Sequence, residues 1–177
     1  MKPLEIIEKY YQKDSPLYKI LVSHSESVAK KSLQIAENKR LNIDKNFVYE
    51  AAMLHDIGIF LTDAPSIHCF GTHNYIEHGI LGADILRAEN LPKHALVCER
   101  HTGTGLTEQD IISKQFPLPL RDMQPVSLEE QLICFADLFF AKTRLNEETP
   151  IEKVRKKVAV WGKNSMEKFE KWVEIFL

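Results

Sequence analysis

The sequence predicts an all-α, single-domain helical bundle. Apolar residues recur at helical rather than alternating spacing along most of the chain, as in Leu17, Leu21 and Val28. Helix-start signals precede several of these segments, and segments that alternate like strands are hard to find. A chain of 177 residues with 44% hydrophobic content is long enough for one compact domain with a real core.

Periodicity and punctuation divide the chain into eight predicted helices. They cover about residues 3–13, 16–41, 44–57, 75–90, 92–102, 107–115, 127–146 and 150–176. We expect the last helix to break near Gly162. Residues 58–74 and 116–126 lack helical signals, and they are candidate rims of a pocket.

The starts of the helices carry the clearest signals. Ser15-Pro16 and Pro92 suit the entry and first turn of a helix. Capping-box patterns begin at Thr107 and at Ser127. No repeat or linker marks a second domain, so residues 1–177 form one domain, with a motif-bearing core at about 20–145 and a helical extension at 150–177.

Charge and cysteine content narrow the partners and the compartment. A formal net charge of -2 gives no electrostatic surface for a long nucleic acid, so we expect a small substrate. The dispersed cysteines Cys69, Cys98 and Cys134 indicate reduced thiols and a cytoplasmic protein. No run approaches the roughly 18 apolar residues that span a bilayer, so we expect no membrane partner.

Two carboxylates lie where an apolar core is expected. The apolar run that begins at Ala51 leads directly into His55-Asp56, followed by Gly58, and Asp137 lies within the apolar stretch 132–141. Burying an unpaired carboxylate costs several kcal/mol or more, so each needs strong donors, an ion pair or a metal. A capping Asp beside a hydrogen-bonded His, or an Asp paired with an Arg, is the structural alternative.

Three further histidines strengthen the metal interpretation. His24 lies on an apolar helix face, and His78 and His101 lie near helix ends beside small residues. Each alone is more typical of a core or surface histidine. Together with the two carboxylates, they form the kind of ligand set that helical bundles assemble from several helices.

The order of these residues resembles the HD-domain metal-dependent phosphohydrolases, specifically the HDIG-containing group. The segment His55-Asp56-Ile57-Gly58 spells the motif, and His24, His78, His101 and Asp137 occupy the other positions of the pattern in order. The sequence segments around His78 and His101, residues 72–79 and 99–105, are also similar to those of the family. The resemblance covers about residues 20–145.

This resemblance implies a binuclear metal centre. One metal would be bound by His24, His55, Asp56 and Asp137, and the second by His78 and His101, with Asp56 bridging. Asp56, His78 and His101 would be catalytic, with a bridging hydroxide as the nucleophile. Imidazole and carboxylate ligands without thiolate suit two divalent transition-metal ions, Fe, Mn, Zn or Ni.

The implied substrate is a nucleotide or another small phosphate ester. Substrate-contact candidates, chosen by their proximity to the motifs, are His73, Arg100, Thr102, Gly103, Arg121 and Lys142. Lys142 is expected about one and a half helical turns beyond Asp137. Charged residues at helix ends are, however, usually solvated.

One position departs from the pattern, and two other functions stay open. Many catalytic members carry a basic residue directly after the motif, where this chain has Ile59. A mixed-valent diiron oxygenase would use a similar ligand set, and a non-catalytic nucleotide or metal sensor would bind without turnover. The oligomeric state is open, and a homodimer is one possibility.

The aromatic residues of the terminal helix bear on that point. They could serve either the core or a dimer contact, and they are Trp161, Phe169, Trp172 and Phe176.

Overall fold

The structure is a computed structural model that describes residues 2–177. Within that range the chain forms nine α-helices, which confirms the predicted all-α class. Their bounds are α1 (Pro3–Tyr10), α2 (Pro16–Asn38), α3 (Lys45–Leu54), α4 (His78–Ala88), α5 (Pro92–Arg100), α6 (Glu108–Lys114), α7 (Leu128–Asp137), α8 (Ile151–Ala159) and α9 (Lys163–Phe176).

The segment between α3 and α4 contains the strands of the described region. Strands β1 (Asp63–Ala64) and β2 (Cys69–Phe70) pair antiparallel, with Asp63 opposite Phe70. Short 3-10 turns occur at Ile59–Leu61, Pro65–Ile67 and Tyr75–Glu77. The chain thus stays non-helical over most of the stretch that lacked helical signals.

The predicted starts of α2, α6 and α7 are confirmed by their caps. Ser15 Oγ accepts the Tyr18 N–H at 3.1 Å, and Pro16 occupies the first turn of α2. Thr107 and Ser127 form capping boxes with Asp110 and Glu130. These interactions are local in sequence, which is why the sequence alone locates them.

The prediction of one helix over residues 127–146 is wrong beyond Asp137. The chain turns back after α7, and the Phe139 carbonyl accepts the Thr149 N–H at 2.7 Å. Asn146 has φ 61°, a left-handed conformation that Asn adopts more readily than most residues. Phe139 is still buried. Its apolar side chain therefore packs in the core although the residue lies in a turn and not in a helix.

The predicted break at Gly162 is confirmed. Gly162 has φ 103°, a value that favours glycine, and it separates α8 from α9.

One hydrophobic cluster joins α2, α3 and α7 to the C-terminal helices. Phe135 of α7 is fully buried at its centre. The rings whose centroids lie 5.1, 5.6, 5.3 and 6.5 Å from that of Phe135 are Phe139, Phe169, Phe176 and Trp172, respectively. The aromatic residues of α9 therefore serve the core and are buried from any dimer contact, whereas Trp161 packs elsewhere.

A second cluster packs α1 against the turn after α3 and against α4. Its fully buried members include Ile7, Leu21, Ile57 and Leu86. Helix α2 contributes to both clusters, because Leu21 belongs to this one and Val28 to the first. His24 lies between those two positions on the buried face of α2. No helix in residues 2–177 is long and apolar enough to cross a bilayer.

Replacing Phe135 by Ala tests the docking of α9 on α7. We expect the free energy of unfolding to fall by about 3–5 kcal/mol, because the lost ring leaves a cavity among four aromatic neighbours. The control is Phe70→Ala, which removes the same ring from a side chain that is 73% exposed. Its effect should stay within about 0.5 kcal/mol. Urea unfolding of metal-free protein measures both, and equal losses would contradict the packing.

Candidate metal centre

The six candidate ligands come together from five helices. His24 lies within α2, His55 and Asp56 directly follow α3, His78 begins α4, His101 follows α5 and Asp137 ends α7. All are buried except Asp137, whose side chain is 18% exposed. The sequence-predicted set therefore forms one buried cluster with Asp137 at its accessible edge.

A close backbone contact holds the turn after α3 against α4. A Cβ atom added at Gly58 would lie 2.3 Å from the His78 carbonyl oxygen and 2.4 Å from the Gly82 nitrogen. Only glycine fits at that separation. This contact positions Asp56 beside the first residue of α4.

Backbone carbonyls orient three of the histidine rings. In each case the Nδ1 atom of the ring lies within hydrogen-bond distance of the carbonyl three residues earlier. The pairs are His55 with Ala52 at 2.6 Å, His78 with Tyr75 at 2.6 Å and His101 with Cys98 at 2.7 Å. Because a carbonyl only accepts, Nδ1 carries the proton in the neutral ring and the Nε2 lone pair faces the cluster.

The first group of ligand atoms surrounds Asp56 Oδ2. The His24 Nε2 atom lies 2.9 Å from Asp137 Oδ1 and 3.2 Å from Asp56 Oδ2. The His55 Nε2 atom lies 3.1 Å from Asp56 Oδ2 and 3.5 Å from Asp137 Oδ1. Two imidazoles and two carboxylates thus converge from α2, α7 and the turn after α3.

The second group uses the other oxygen of the same carboxylate. Asp56 Oδ1 lies 3.4 Å from the Nε2 atoms of both His78 and His101. Those two Nε2 atoms are 3.0 Å apart. Asp56 therefore directs one oxygen towards each group, which is the arrangement that a bridging ligand needs.

Several polar atoms of the cluster are buried and close together yet lack a hydrogen bond. The ring nitrogens of His24 and the His55 Nε2 atom are buried without a hydrogen bond, and the Asp56 oxygens face only ring nitrogens and the Lys142 ammonium. Unpaired buried atoms are costly, and separations of about 3.0–3.5 Å are those of ligand atoms that share a cation with bonds of about 2.1 Å. The residues fit metal binding, and the two groups could hold metal ions.

The neighbouring charges keep both carboxylates ionised. Burial would raise the pKa of Asp56, but Lys142 and His55 outweigh it and hold that pKa well below its usual range. Burial would likewise raise the pKa of Asp137, and His24 and His55 reverse the direction. Lys142 Nζ forms an ion pair with Asp56 Oδ2 at 2.5 Å.

The pKa of His55 in the first group and that of His78 in the second group are shifted in opposite directions. Burial would lower the pKa of His55, but Asp56 and Asp137 raise it to about 10. Burial and the neighbouring His101 lower the pKa of His78 to about 3. At neutral pH the metal-free cluster therefore carries a proton on His55, whereas His78 is neutral.

Two cavities of about 390 Å³ each open beside the cluster, and both are lined by Tyr75, Asp137 and Phe140. The Lys142 cavity is completed by Ala64, Ser66, Ile67, Ala141, Lys142 and Thr143. The Trp161 cavity is completed by Gly103, Leu138, Lys157, Val158 and Trp161. A cavity of about 480 Å³ near Phe47 and Glu50 contains none of the six ligands, so its size does not make it the site.

Only some of the predicted substrate contacts line the two cavities. Lys142 and Gly103 line the two cavities. Thr102 is half-buried next to Gly103 and lines neither. Proximity in sequence to a motif does not fix the direction of a side chain, because successive helical residues point about 100° apart.

The remaining three candidates are paired elsewhere. Arg100 binds Glu130 at 3.0 Å, and Arg121 binds Glu99 at 2.7 Å. His73 is exposed beside Glu77. The structure therefore does not bring these three side chains into the two cavities.

Sequence reasoning missed most of the lining residues, and the larger side chains among them are Tyr75, Phe140, Lys157 and Trp161. Tyr75 could have been found, because its carbonyl orients His78 and it precedes that ligand by one helical turn. The others reach the site through the turn after α7 and through α8. No local pattern predicts that arrangement.

Comparisons with known proteins show the family of the chain. The family model described as HD domain matches residues 21–142. An uncharacterised protein of Methanocaldococcus jannaschii is 34% identical over 149 residues, which covers 81% of this chain and 79% of that protein. No solved structure matches the chain.

Two longer proteins are also similar. They are tRNA (cytidine(56)-2'-O)-methyltransferases of Picrophilus torridus and Thermoplasma volcanium, each 31% identical, over 71% and 87% of this chain. The matches cover 33% and 40% of those proteins, so this chain spans well under half of their length.

Removing the shared carboxylate should empty both groups. We expect Asp56→Ala to lose most bound transition metal, because each group loses one of its oxygens, whereas Asp137→Ala should weaken the first group alone. Elemental analysis after equilibration with Mn²⁺ and desalting measures this, with circular dichroism to verify folding. The control is Asp63→Ala, which removes an exposed carboxylate of β1. Wild-type metal content in Asp56→Ala would contradict the assignment.

Metal affinity should rise with pH above the usual histidine range. A cation that binds His55 Nε2 must displace the proton that the raised pKa retains. Between about pH 7.5 and 8.5 the release of this one proton should give about a tenfold gain in affinity per pH unit. Mn²⁺ titration against a competing chelator measures the slope, and a pH-independent affinity would refute this role.

Proposed function

The chain belongs to the HD domain family, and from that premise we propose that it is a phosphohydrolase acting on a nucleotide or a related small phosphate ester. The family and the His/Asp cluster support a metal-dependent hydrolase superfamily. The observation that carries the finer proposal is the buried Asp56 carboxylate, with one oxygen facing each of two ligand groups. That arrangement suits a pair of cations.

The proposed cofactors are two divalent transition-metal ions, Fe, Mn, Zn or Ni. His24, His55, Asp56 and Asp137 would hold one ion, and Asp56, His78 and His101 would hold the other. When bound, such a pair supplies activation of water at neutral pH and neutralisation of phosphoryl charge. The imidazole-rich ligand set argues against Mg or Ca.

Lys142 is the proposed phosphate-binding cation of the chain itself. Its ammonium lies beside Asp56 and lines a cavity that opens next to Asp137. Burial would lower the pKa of Lys142, but Asp56 raises it, so the group is charged at neutral pH. Ile59, at the position where the resemblance implies a basic residue in many catalytic members, is fully buried in the second core cluster. Lys142 therefore supplies from the turn after α7 the charge that position 59 lacks.

The substrate proposal rests on size and charge. Cavities of about 390 Å³ suit a small organic molecule, and a net charge of -2 gives no surface for a long nucleic acid. Two similar proteins are named as tRNA methyltransferases, so a nucleotide derived from RNA is one substrate to include. The cysteines Cys69, Cys98 and Cys134 are buried and unpaired, which supports a reducing compartment such as the cytoplasm.

Metal analysis together with phosphate release tests the function. Purified protein is stripped and reloaded with Mn, Fe, Zn or Ni, then incubated with nucleoside monophosphates and sugar phosphates. The proposal predicts metal-dependent release of phosphate. Two irons with oxygen consumption and no phosphate release would instead indicate an oxygenase, and binding without turnover would indicate a sensor.

Replacing Lys142 by Met should separate phosphate binding from metal binding. We expect kcat/KM to fall about 100-fold, as when one preorganised donor to a developing oxyanion is removed, with metal content retained. Lys142→Arg should recover part of the activity because it keeps the charge. Lys153→Met removes an exposed lysine of α8 and serves as the control. Unchanged kcat/KM in Lys142→Met would contradict the role.

A further inference from the structure

Resting on the proposed hydrolysis, we propose that the C-terminal part of the chain supplies a subsite for the planar base of a nucleotide substrate. Trp161 forms the stacking surface of this subsite, and Lys157 lies at its edge. Both residues line the Trp161 cavity next to Asp137. They would determine which phosphate esters the enzyme selects.

The subsite lies partly outside the matched family region. The HD domain match ends at residue 142, whereas Lys157, Val158 and Trp161 come from α8 and the turn that follows it. The helices after residue 150 therefore do more than complete the core around Phe135. They line a cavity that Asp137, a candidate metal ligand, also lines.

The lining of the cavity matches a flat, largely apolar group. Its side chains are mostly aromatic or aliphatic, and they are Tyr75, Leu138, Phe140, Val158 and Trp161. Lys157 and Asp137 are the charged residues of the lining. Aromatic side chains of this kind stack on nucleobases, and a lysine can donate to base acceptors at the rim. A sugar phosphate without a base would leave this lining uncovered.

Trp161 is held in place before any ligand arrives. The ring centroid of Phe116 lies 6.3 Å from that of Trp161, and Lys114 Nζ lies 5.2 Å from the Trp161 centroid. Gly103, with φ 61°, lies close enough that a Cβ there would be 3.8 Å from the indole. Trp161 nevertheless remains only partly buried. A fixed and accessible ring costs little entropy when it stacks on a ligand.

The two cavities together match a molecule with a phosphate at one end and a base at the other. Tyr75, Asp137 and Phe140 line both cavities. A nucleotide with its phosphate near Lys142 and Asp56 would therefore contact these three side chains with its sugar. Its base would then reach Trp161.

Kinetics on a matched substrate pair tests the subsite. Adenosine 5′-monophosphate and ribose 5-phosphate share the sugar phosphate and differ by the base. Wild-type protein should prefer the nucleotide, and Trp161→Leu should lower kcat/KM for the nucleotide about tenfold while leaving ribose 5-phosphate unchanged. Trp161→Phe keeps a ring and should keep most of the preference. Val160→Ala, at a neighbouring side chain that is 79% exposed, is the control.

Fluorescence provides a reading that does not need turnover. The chain has two tryptophans, and Trp172 is buried, so quenching by adenosine 5′-monophosphate should be saturable and should disappear in Trp161→Phe. Ribose 5-phosphate should not quench. Quenching without phosphate release would keep the subsite and overturn the hydrolase. Phosphate release with no base preference and no quenching would overturn the subsite and keep the hydrolase.

Discussion

The arrangement of this protein depends on the buried carboxylate of Asp56. An ionised carboxylate in an apolar interior costs several kcal/mol unless opposite charges or donors surround it, and Asp56 is fully buried. Four imidazoles and the Lys142 ammonium lie next to the carboxylate and offset that cost. Cations shared with those imidazoles would satisfy the oxygens more completely than the protein does alone. The carboxylate whose burial costs free energy is thus also the group that enables the site to hold metals.

The backbone around Asp56 is fixed by contacts that leave the ligands little freedom. The Cys98 thiol lies 2.9 Å from the His55 carbonyl, and the Cys134 thiol lies 3.2 Å from the His101 carbonyl. With the glycine contact between Gly58 and α4, these link α3, α5 and α7 at the ligands themselves. The cysteines that indicated a reducing compartment therefore also position the site. A preorganised ligand set spends less of its metal-binding energy on ordering the chain.

The sequence predicts the features that depend on residues close together in the chain, and it does not predict those that depend on distant contacts. The caps at Ser15 and Thr107 and the charged residues within apolar runs, Asp56 and Asp137, are visible within a few positions. The turn after Asp137 depends on a contact between Phe139 and Thr149, so periodicity alone extended α7 too far. The sequence predicts Lys142 on a helix beyond Asp137, whereas the Lys142 ammonium approaches Asp56 from that turn. The sequence places Trp161 among the aromatic residues of the terminal helix, with either a core or a dimer role, because nothing in its neighbourhood predicts the cavity that α8 completes.

Diffraction from crystals grown with Mn²⁺ and measured for anomalous scattering tests the central claim most directly. The account predicts two peaks, one among His24, His55 and Asp137 and one beside His78 and His101, with the Asp56 carboxylate between them. A single peak, or peaks away from Asp56, would contradict the bridging role on which the proposed chemistry depends.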